Sequence, residues 1–557
     1  MMQRKLWIIF GAGVATCVGA LGFLAYKYQK LADAVYVRQL VIAEKKVDHQ
    51  ETKAGTDAQP RVAWNTVKNV AHDAVVQVIA SVAQFNWLEP YKTPNQGMMA
   101  GTAFFINDKG ELFTNAHVVD QATRVFIQIP SHGKERFDVD VIGVSMERDL
   151  ALLRLTDKSL KKLLGYGPLH CMKLGDSDQV YRAQEIMALG FPLGQEALKS
   201  TVGVVSGREH VDGRHMIQID AAINGGNSGG PSINMAGEVI GINTSGSARP
   251  DAENVNWIIP INEAKLFEHQ LRNMKNVSTN NVLSSVKLVR KPFLGVFFNN
   301  ATESMTEFLG NPKPGGAYVA EVYKGGPLPR AGVLVGDMIY EINGYRVDQY
   351  GEISVPWSED RVSVSAYAAR LNVGDNIHLV LYRKGKRKEI TIKFSNTELA
   401  PIRVMFPAYE KMDYEVFAGM VLMPLSINHL LILAQANSKM VHYAEPKNQL
   451  EPAVAVTHVF PESLLVLSRT FSVGSIISEV NGITVKTLDD IREAMLKSVD
   501  TGFISIKTTD NVFAVLSLKD VLEQEDRLQH TYFYDETALT KKIKEKVGFK
   551  GEEQKTA

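Results

Sequence analysis

Residues Asp220–Pro231 read DAAINGGNSGGP, and one serine, Ser228, stands among Gly225, Gly226, Gly229 and Gly230. Glycine is favoured where the backbone needs a positive φ or where another group must come close to the main chain. Gly226-Asn227-Ser228-Gly229-Gly230 satisfies the G-x-S-x-G pattern of a nucleophile elbow, but that elbow must run from a strand straight into a helix. Here the chain continues GGPSINMAGEVIGINTS, which reads as a β-hairpin. The serine therefore belongs to a glycine-rich loop between strands, and the fold around it is a β fold.

Outward from this loop, residues 62–261 carry many short β-branched and aromatic runs punctuated by Gly, Asn, Asp and Pro. Among them are GTAFFIN, RVFIQIP, VDVIGV, ALLRL, EIMALGFP, STVGVVSG, HMIQID and GEVIGINTS. Strands so short and so evenly spaced indicate barrels or sandwiches rather than βαβ units. A chain of 557 residues exceeds one core and divides into several domains.

Two upstream segments of the same domain set a polar residue among apolar ones: LFTNAHVVD carries His117 and SMERDLALLRL carries Asp149. A serine hydroxyl becomes a nucleophile when a base takes its proton, and an imidazole base needs a carboxylate to fix its tautomer. His117, Asp149 and Ser228 supply these groups in the order His, Asp, Ser. The backbone N–H groups of Gly226, Asn227 and Ser228 are then candidates for an oxyanion hole. Taken singly, His117 also fits a buried histidine, Asp149 a turn residue and the glycines a structural loop. Their co-occurrence in one β-rich domain favours catalysis.

The segments TNAHVV, RDLALLRL, ALGFPLGQ and DAAINGGNSGGP, in that order over residues 65–265, resemble the signature stretches of HtrA/Deg serine proteases. The resemblance implies a chymotrypsin-like double β-barrel over residues 62–265 that needs neither metal nor cofactor, with His117 as general base, Asp149 as its orienter and Ser228 as nucleophile. It also implies that Ile223 lines the S1 pocket and that cleavage follows small or medium aliphatic residues. Phe85 and Trp87 would pack between subunits of a trimer or a multiple of trimers. Gly225 departs from the many relatives that carry a side chain there.

An internal repeat follows. GDMIYEINGYRV (336–347) matches GSIISEVNGITV (474–485) in register, each with Asn-Gly between apolar alternations, a strong hairpin signal. A helical pattern follows the second copy as TLDDIREAMLKSV. The fold class is thus mainly β, with two α+β modules at residues 285–396 and 402–520 after the barrels. The first, opening with KPFLGVFF, resembles an HtrA PDZ domain, which implies that Leu294, Gly295 and Val296 present backbone N–H groups to a peptide's C-terminal carboxylate. The second resembles the divergent second PDZ of plant-type Deg proteases. Its Phe417-Ala418-Gly419-Met420 serves equally as a carboxylate loop or as scaffolding for assembly. Residues 521–557 read as a charged tail.

Leu6–Tyr26 is free of charge and long enough to span a bilayer core, with Arg4-Lys5 before it and Lys27 after it. Its length favours a retained N-terminal membrane anchor (1–26) on a polar stalk (27–61) over a cleaved signal peptide, whose apolar region is shorter, and this puts the protease domain outside the cytoplasm, most simply in a bacterial periplasm. Lys+Arg and Asp+Glu balance at 61 each, so nothing suggests a nucleic-acid partner. The two cysteines, Cys17 and Cys171, do not indicate a disulfide framework. The expectation is an ATP-independent endopeptidase acting on unfolded or damaged proteins, with C-terminal peptides bound at PDZ domains. Two rivals are a chaperone or PDZ scaffold with dispensable proteolysis, and a regulatory protease that cuts one membrane-bound substrate.

Overall fold

The computed structural model describes residue 64 and residues 71–549, apart from 212, 247–253, 275–284, 435–436 and 468. The chain divides after Trp64. The charge-free stretch Leu6–Tyr26 and the stalk lie outside the described residues; among the described residues no helix is long and apolar enough to cross a membrane.

The first sheet contains β1 (Val75–Gln84), β2 (Asn95–Phe105), β3 (Glu111–Thr114), β4 (Ala122–Gln128), β5 (Phe137–Ser145) and β6 (Leu150–Leu155). Its order is β5-β4-β1-β2-β3-β6, and β5 also pairs with β6, so the six strands close into a barrel. A second six-strand barrel follows, preceded by the short β7 (Lys173–Leu174). Its strands are β8 (Glu185–Gly190), β9 (Lys199–Val211), β10 (Arg214–Ile219), β11 (Pro231–Ile233), β12 (Glu238–Gly246) and β13 (Asn256–Pro260). They run β11-β8-β9-β10-β13-β12, and β11–β12 pairing closes the ring. Closure removes the free edges of a sheet. Strand alternation fills the first barrel with Val78, Ala103, Phe105, Leu112, Ile127 and Leu153, and the second with Ile186, Ala188, Ile217, Ile219, Ile240 and Ile258.

Two α+β domains follow β14 (Lys287–Leu288), which pairs in parallel with β5. In the first, the Asn-Gly hairpin joins Met338–Ile342 to Tyr345–Arg346, with Asn343 and Gly344 at φ +48 and +83. In the second, Ile476–Val480 and Ile483–Thr484 repeat that turn at Asn481 and Gly482, φ +48 and +76. TLDDIREAMLKSV forms the helix Leu488–Leu496, whose Thr487 and Asp490 make a capping box.

The charged tail is folded in part. Leu518–Tyr532 and Ala538–Val547 are helices, and Leu518, Val521, Leu522, Leu539 and Ile543 pack into the core of the second α+β domain. Their apolar residues recur at helical spacing among many charges, so one face is buried while the overall composition reads as solvated.

Candidate active site

Each member of the proposed trio stands on a different device, and all three meet in the cleft between the barrels. His117 lies on the one-turn helix Ala116–Val119 that follows β3. Asp149 ends the turn between β5 and β6 in a left-handed conformation, φ +58, with its N–H bonded to the Met146 carbonyl. Ser228 sits on the loop between β10 and β11. The hairpin β11–β12 after it is strand, not helix, which removes the elbow reading.

His117 Nδ1 is 2.9 Å from Asp149 Oδ1 and 3.0 Å from Oδ2, and the His117 backbone N–H donates to Oδ1 at 3.0 Å. Thr244 Oγ1 donates to Oδ2 at 2.7 Å. Asn115 Nδ2 donates to the Asp149 carbonyl, so the two loops are tied at the backbone as well. Burial pushes the Asp149 carboxyl up, but the hydrogen bonds from His117 and Thr244 outweigh it and hold the group below the usual carboxylate range. On its far side Arg214 Nη1 lies 3.7 Å from Oδ2. The Ser228 hydroxyl donates to the Thr244 carbonyl at 2.9 Å, and no hydrogen bond joins it to His117.

The glycine loop is shaped by close approach. A Cβ on Gly226, at φ +99, would fall 2.3 Å from the Phe191 carbonyl oxygen, and one on Gly229, at φ +87, would fall 2.1 Å from that of Thr102. Position 225 has open space instead, so the missing side chain there is not a packing requirement. Thr102 Oγ1 donates to the Gly226 carbonyl and accepts from the Phe191 N–H, while the Leu193 N–H donates to the Gly225 carbonyl at 2.6 Å. Of the three expected oxyanion donors, the Asn227 N–H is used within the loop, bonded to the Asn224 carbonyl. The N–H groups of Gly226 and Ser228 have no partner among the described residues. Ile223 is 8% exposed and packs in the core of the second barrel.

Thr244, Asn115 and Thr102 were not singled out from sequence. Each is a small polar residue at the end of a run that reads as strand, and only the fold shows which face it occupies.

The two α+β domains differ at the edge where a peptide strand would add. In the first, Leu294 and Gly295 lie just before the strand Val296–Asn299, and neither N–H has a partner among the described residues. That strand pairs only with Ala317–Val322, so its outer edge is open. In the second, Phe417-Ala418-Gly419-Met420 is a two-residue hairpin turn, with Ala418 and Gly419 at φ +55 and +80. The strand Glu415–Phe417 pairs with Met420–Pro424 and covers the equivalent edge. Trp87, expected between subunits, packs within the chain against His429 of the second domain, ring centroids 5.2 Å apart, with Phe85 edge-on to it.

Comparison with known proteins matches residues 101–242 to a trypsin-like peptidase domain, and residues 292–394 and 407–536 to PDZ domains. A probable periplasmic serine endoprotease, DegP-like, from Halomonas elongata is 30% identical over 297 residues, which is 52% of this chain and 55% of that one. The serine protease Do-like HtrB of Bacillus subtilis is 30% identical over 302 residues, 51% of this chain and 59% of that one. The chain thus spans little more than half the length of the curated relatives it matches. A solved HtrA-type protease, AlgW with a decapeptide, superposes with a TM-score of 0.46 at 25% identity, covering 61% of this chain and 99% of that one. The chain thus carries a trypsin-like peptidase domain followed by two PDZ domains, and it is similar to serine endoproteases named DegP-like and HtrB.

Proposed function

We propose that the chain is an ATP-independent serine endopeptidase that cleaves unfolded or damaged proteins. The observation that carries the reading is the carboxylate of Asp149 chelating both the ring Nδ1 and the backbone N–H of His117 beside a serine on a loop with two unpartnered N–H groups. Asp149 keeps the proton on Nδ1, leaving Nε2 free to act as base.

On substrate binding the Ser228 side chain turns from the Thr244 carbonyl toward Nε2. Oγ attacks the scissile carbonyl carbon as its proton passes to Nε2, and the oxyanion is met by the Gly226 and Ser228 N–H groups. The C–N bond then breaks, and the proton on Nε2 goes to the leaving nitrogen. Water, deprotonated by Nε2, attacks the acyl ester, and Ser228 Oγ takes the proton back. Ile223 lies at the base of this site and restricts the S1 side chain to small or medium aliphatic groups.

The first PDZ takes a C-terminal peptide on its open edge, with its carboxylate on the Leu294, Gly295 and Val296 backbone. The chains assemble as trimers or multiples of trimers, and Leu6–Tyr26 anchors them with the protease domain outside the cytoplasm. A binding-only reading, chaperone or scaffold, is favoured by the bond from Ser228 Oγ to Thr244 rather than to His117.

Hydrolysis of an unfolded model protein by the full chain and by its Ser228→Ala variant separates the two. Cleavage after aliphatic residues by the unmutated chain alone supports the protease. Equal protection of the model protein from aggregation by both, with no cleavage in the presence of C-terminal peptides, supports the binding module.

A further inference from the structure

A cavity of about 20 Å³ lies where the second barrel, the β5–β6 turn and the first PDZ meet, lined by Arg148, Arg214, His215, Glu263, Lys291 and Ala366 among others. Cavities hold a water from roughly 10–15 Å³ upward, so this one has room for a particle of that size. A smaller cavity of about 10 Å³ shares His215, Glu263 and Ala366 with it. Two guanidiniums and the Lys291 side chain face the larger space; Glu263 is the one carboxylate that lines it, with Asp149 beyond Arg214 and Glu147 beside Lys291.

Their bonds within the chain do not use them up. Arg148 is 3% exposed; its Nη2 donates to the Ala369 carbonyl of the first PDZ, but its Nε is buried without a hydrogen bond, 3.4 Å from Glu263 Oε2. Among the described residues the Arg214 side chain makes no hydrogen bond, and its one ion pair is the 3.7 Å contact with Asp149. The Lys291 ammonium donates to the Gly213 carbonyl, while its own N–H is held by Glu147. His215 stands edge-on to Trp357, and burial together with the nearby Arg208 holds its ring neutral, with its pKa brought down to about 4. Buried like charges are costly unless something of opposite sign stands between them.

We propose that this cavity is a binding site for a small inorganic anion, chloride or one edge of a phosphate, held between Arg214, Arg148 and Lys291. Chloride fits the space as it stands. A phosphate enters by an outward swing of Arg214, whose side chain is 22% exposed. An occupant draws the Arg214 guanidinium toward itself and away from Asp149, so anion occupancy and the pairing of Asp149 with His117 are coupled.

The test is thermal unfolding of the full chain carrying Ser228→Ala, titrated with sodium chloride or sodium phosphate against sodium gluconate at constant ionic strength. This readout does not depend on whether the chain cleaves peptides. A saturable rise in the midpoint with either salt is expected, following the logarithmic dependence of linked binding. Arg214→Gln should raise the half-saturating concentration at least tenfold, and Lys291→Met should raise it too. A response to chloride alone identifies a halide site; one to phosphate identifies an oxyanion site. No saturable rise with either salt, or an equal rise in both variants, overturns the proposal.

Discussion

At the scale of the residue, Asp149 shows what a buried carboxylate needs in order to stay charged: three donors converge on its two oxygens, and one of them is Thr244 Oγ1. A hydrogen bond to a charged group is worth about 1.5–3 kcal/mol. Thr244→Val keeps the shape and removes that donor, so kcat should fall by about tenfold, the lower end of that range, with KM little changed. Thr244→Ser should recover most of the loss. Steady-state kinetics on a peptide substrate checks the split; a change confined to KM would place Thr244 in substrate binding instead. The pairing of His117 with Asp149 was legible in the sequence because a histidine and an aspartate set among apolar runs, in order before a glycine-flanked serine, are distinctive residue types in a distinctive order. Thr244 was not, because a threonine near the end of GEVIGINTS looks like any other strand residue until the hairpin register sets which face it presents. The same holds for the Asn227 N–H: the motif names three backbone donors, and only the loop's own turn decides which one is already taken.

At the scale of the element, the internal repeat was legible as two Asn-Gly hairpins, because that turn has a local signature. The difference between the copies was not, because it depends on a long-range pairing. The strand Glu415–Phe417 of the second PDZ is held by Arg492 on the helix Leu488–Leu496. Its guanidinium binds Asp413 at 2.8 and 2.9 Å, Glu415 at 2.8 Å, Asp489 at 3.0 Å and the Tyr414 carbonyl at 3.1 Å. Glu415 is 3% exposed, so removing its partner leaves a buried charge, at a cost of roughly 3–5 kcal/mol. Arg492→Met is therefore expected to strip amide-exchange protection from residues 415–417 and to lower the melting point of this domain, and adding Glu415→Gln should restore part of both. Hydrogen exchange by mass spectrometry reads the strand directly. Protection unchanged in Arg492→Met would mean that backbone pairing alone holds it in place.

At the scale of the whole molecule, the peptidase domain touches both PDZ domains. Arg370 of the first binds Asp178 at 2.8 and 3.0 Å, and the opening segment of the second sets Tyr409 into the core of the first barrel. The loop between β1 and β2 reaches the second PDZ, where Tyr91 packs on Phe460 and Tyr534, and His429 Nε2 donates to the Trp87 carbonyl at 3.2 Å. Two buried groups give this junction opposite responses to pH. His429 must keep Nδ1 unprotonated to accept from the Ser426 N–H, and burial lowers its pKa to about 4. The folded state then binds fewer protons than the unfolded one between pH 6.5 and 4, so this contribution is present above pH 6.5 and is lost as pH falls through that window. Glu525, bonded to the Tyr534 hydroxyl at 2.7 Å, is pushed up to about 7 by burial. Here the folded state binds the extra proton, so stability falls as pH rises from about 4.5 to 7. Each of these displacements corresponds to roughly 3 kcal/mol at most. The two slopes oppose each other in the unmutated chain, and single variants should separate them. His429→Gln leaves a melting point that drops as pH rises from 4.5 to 7, whereas Glu525→Gln leaves one that drops as pH falls from 6.5 to 4. Melting curves across this range, with exchange read at residues 85–92, check both signs. Parallel profiles for the two variants would show that neither group carries the pH dependence of the junction.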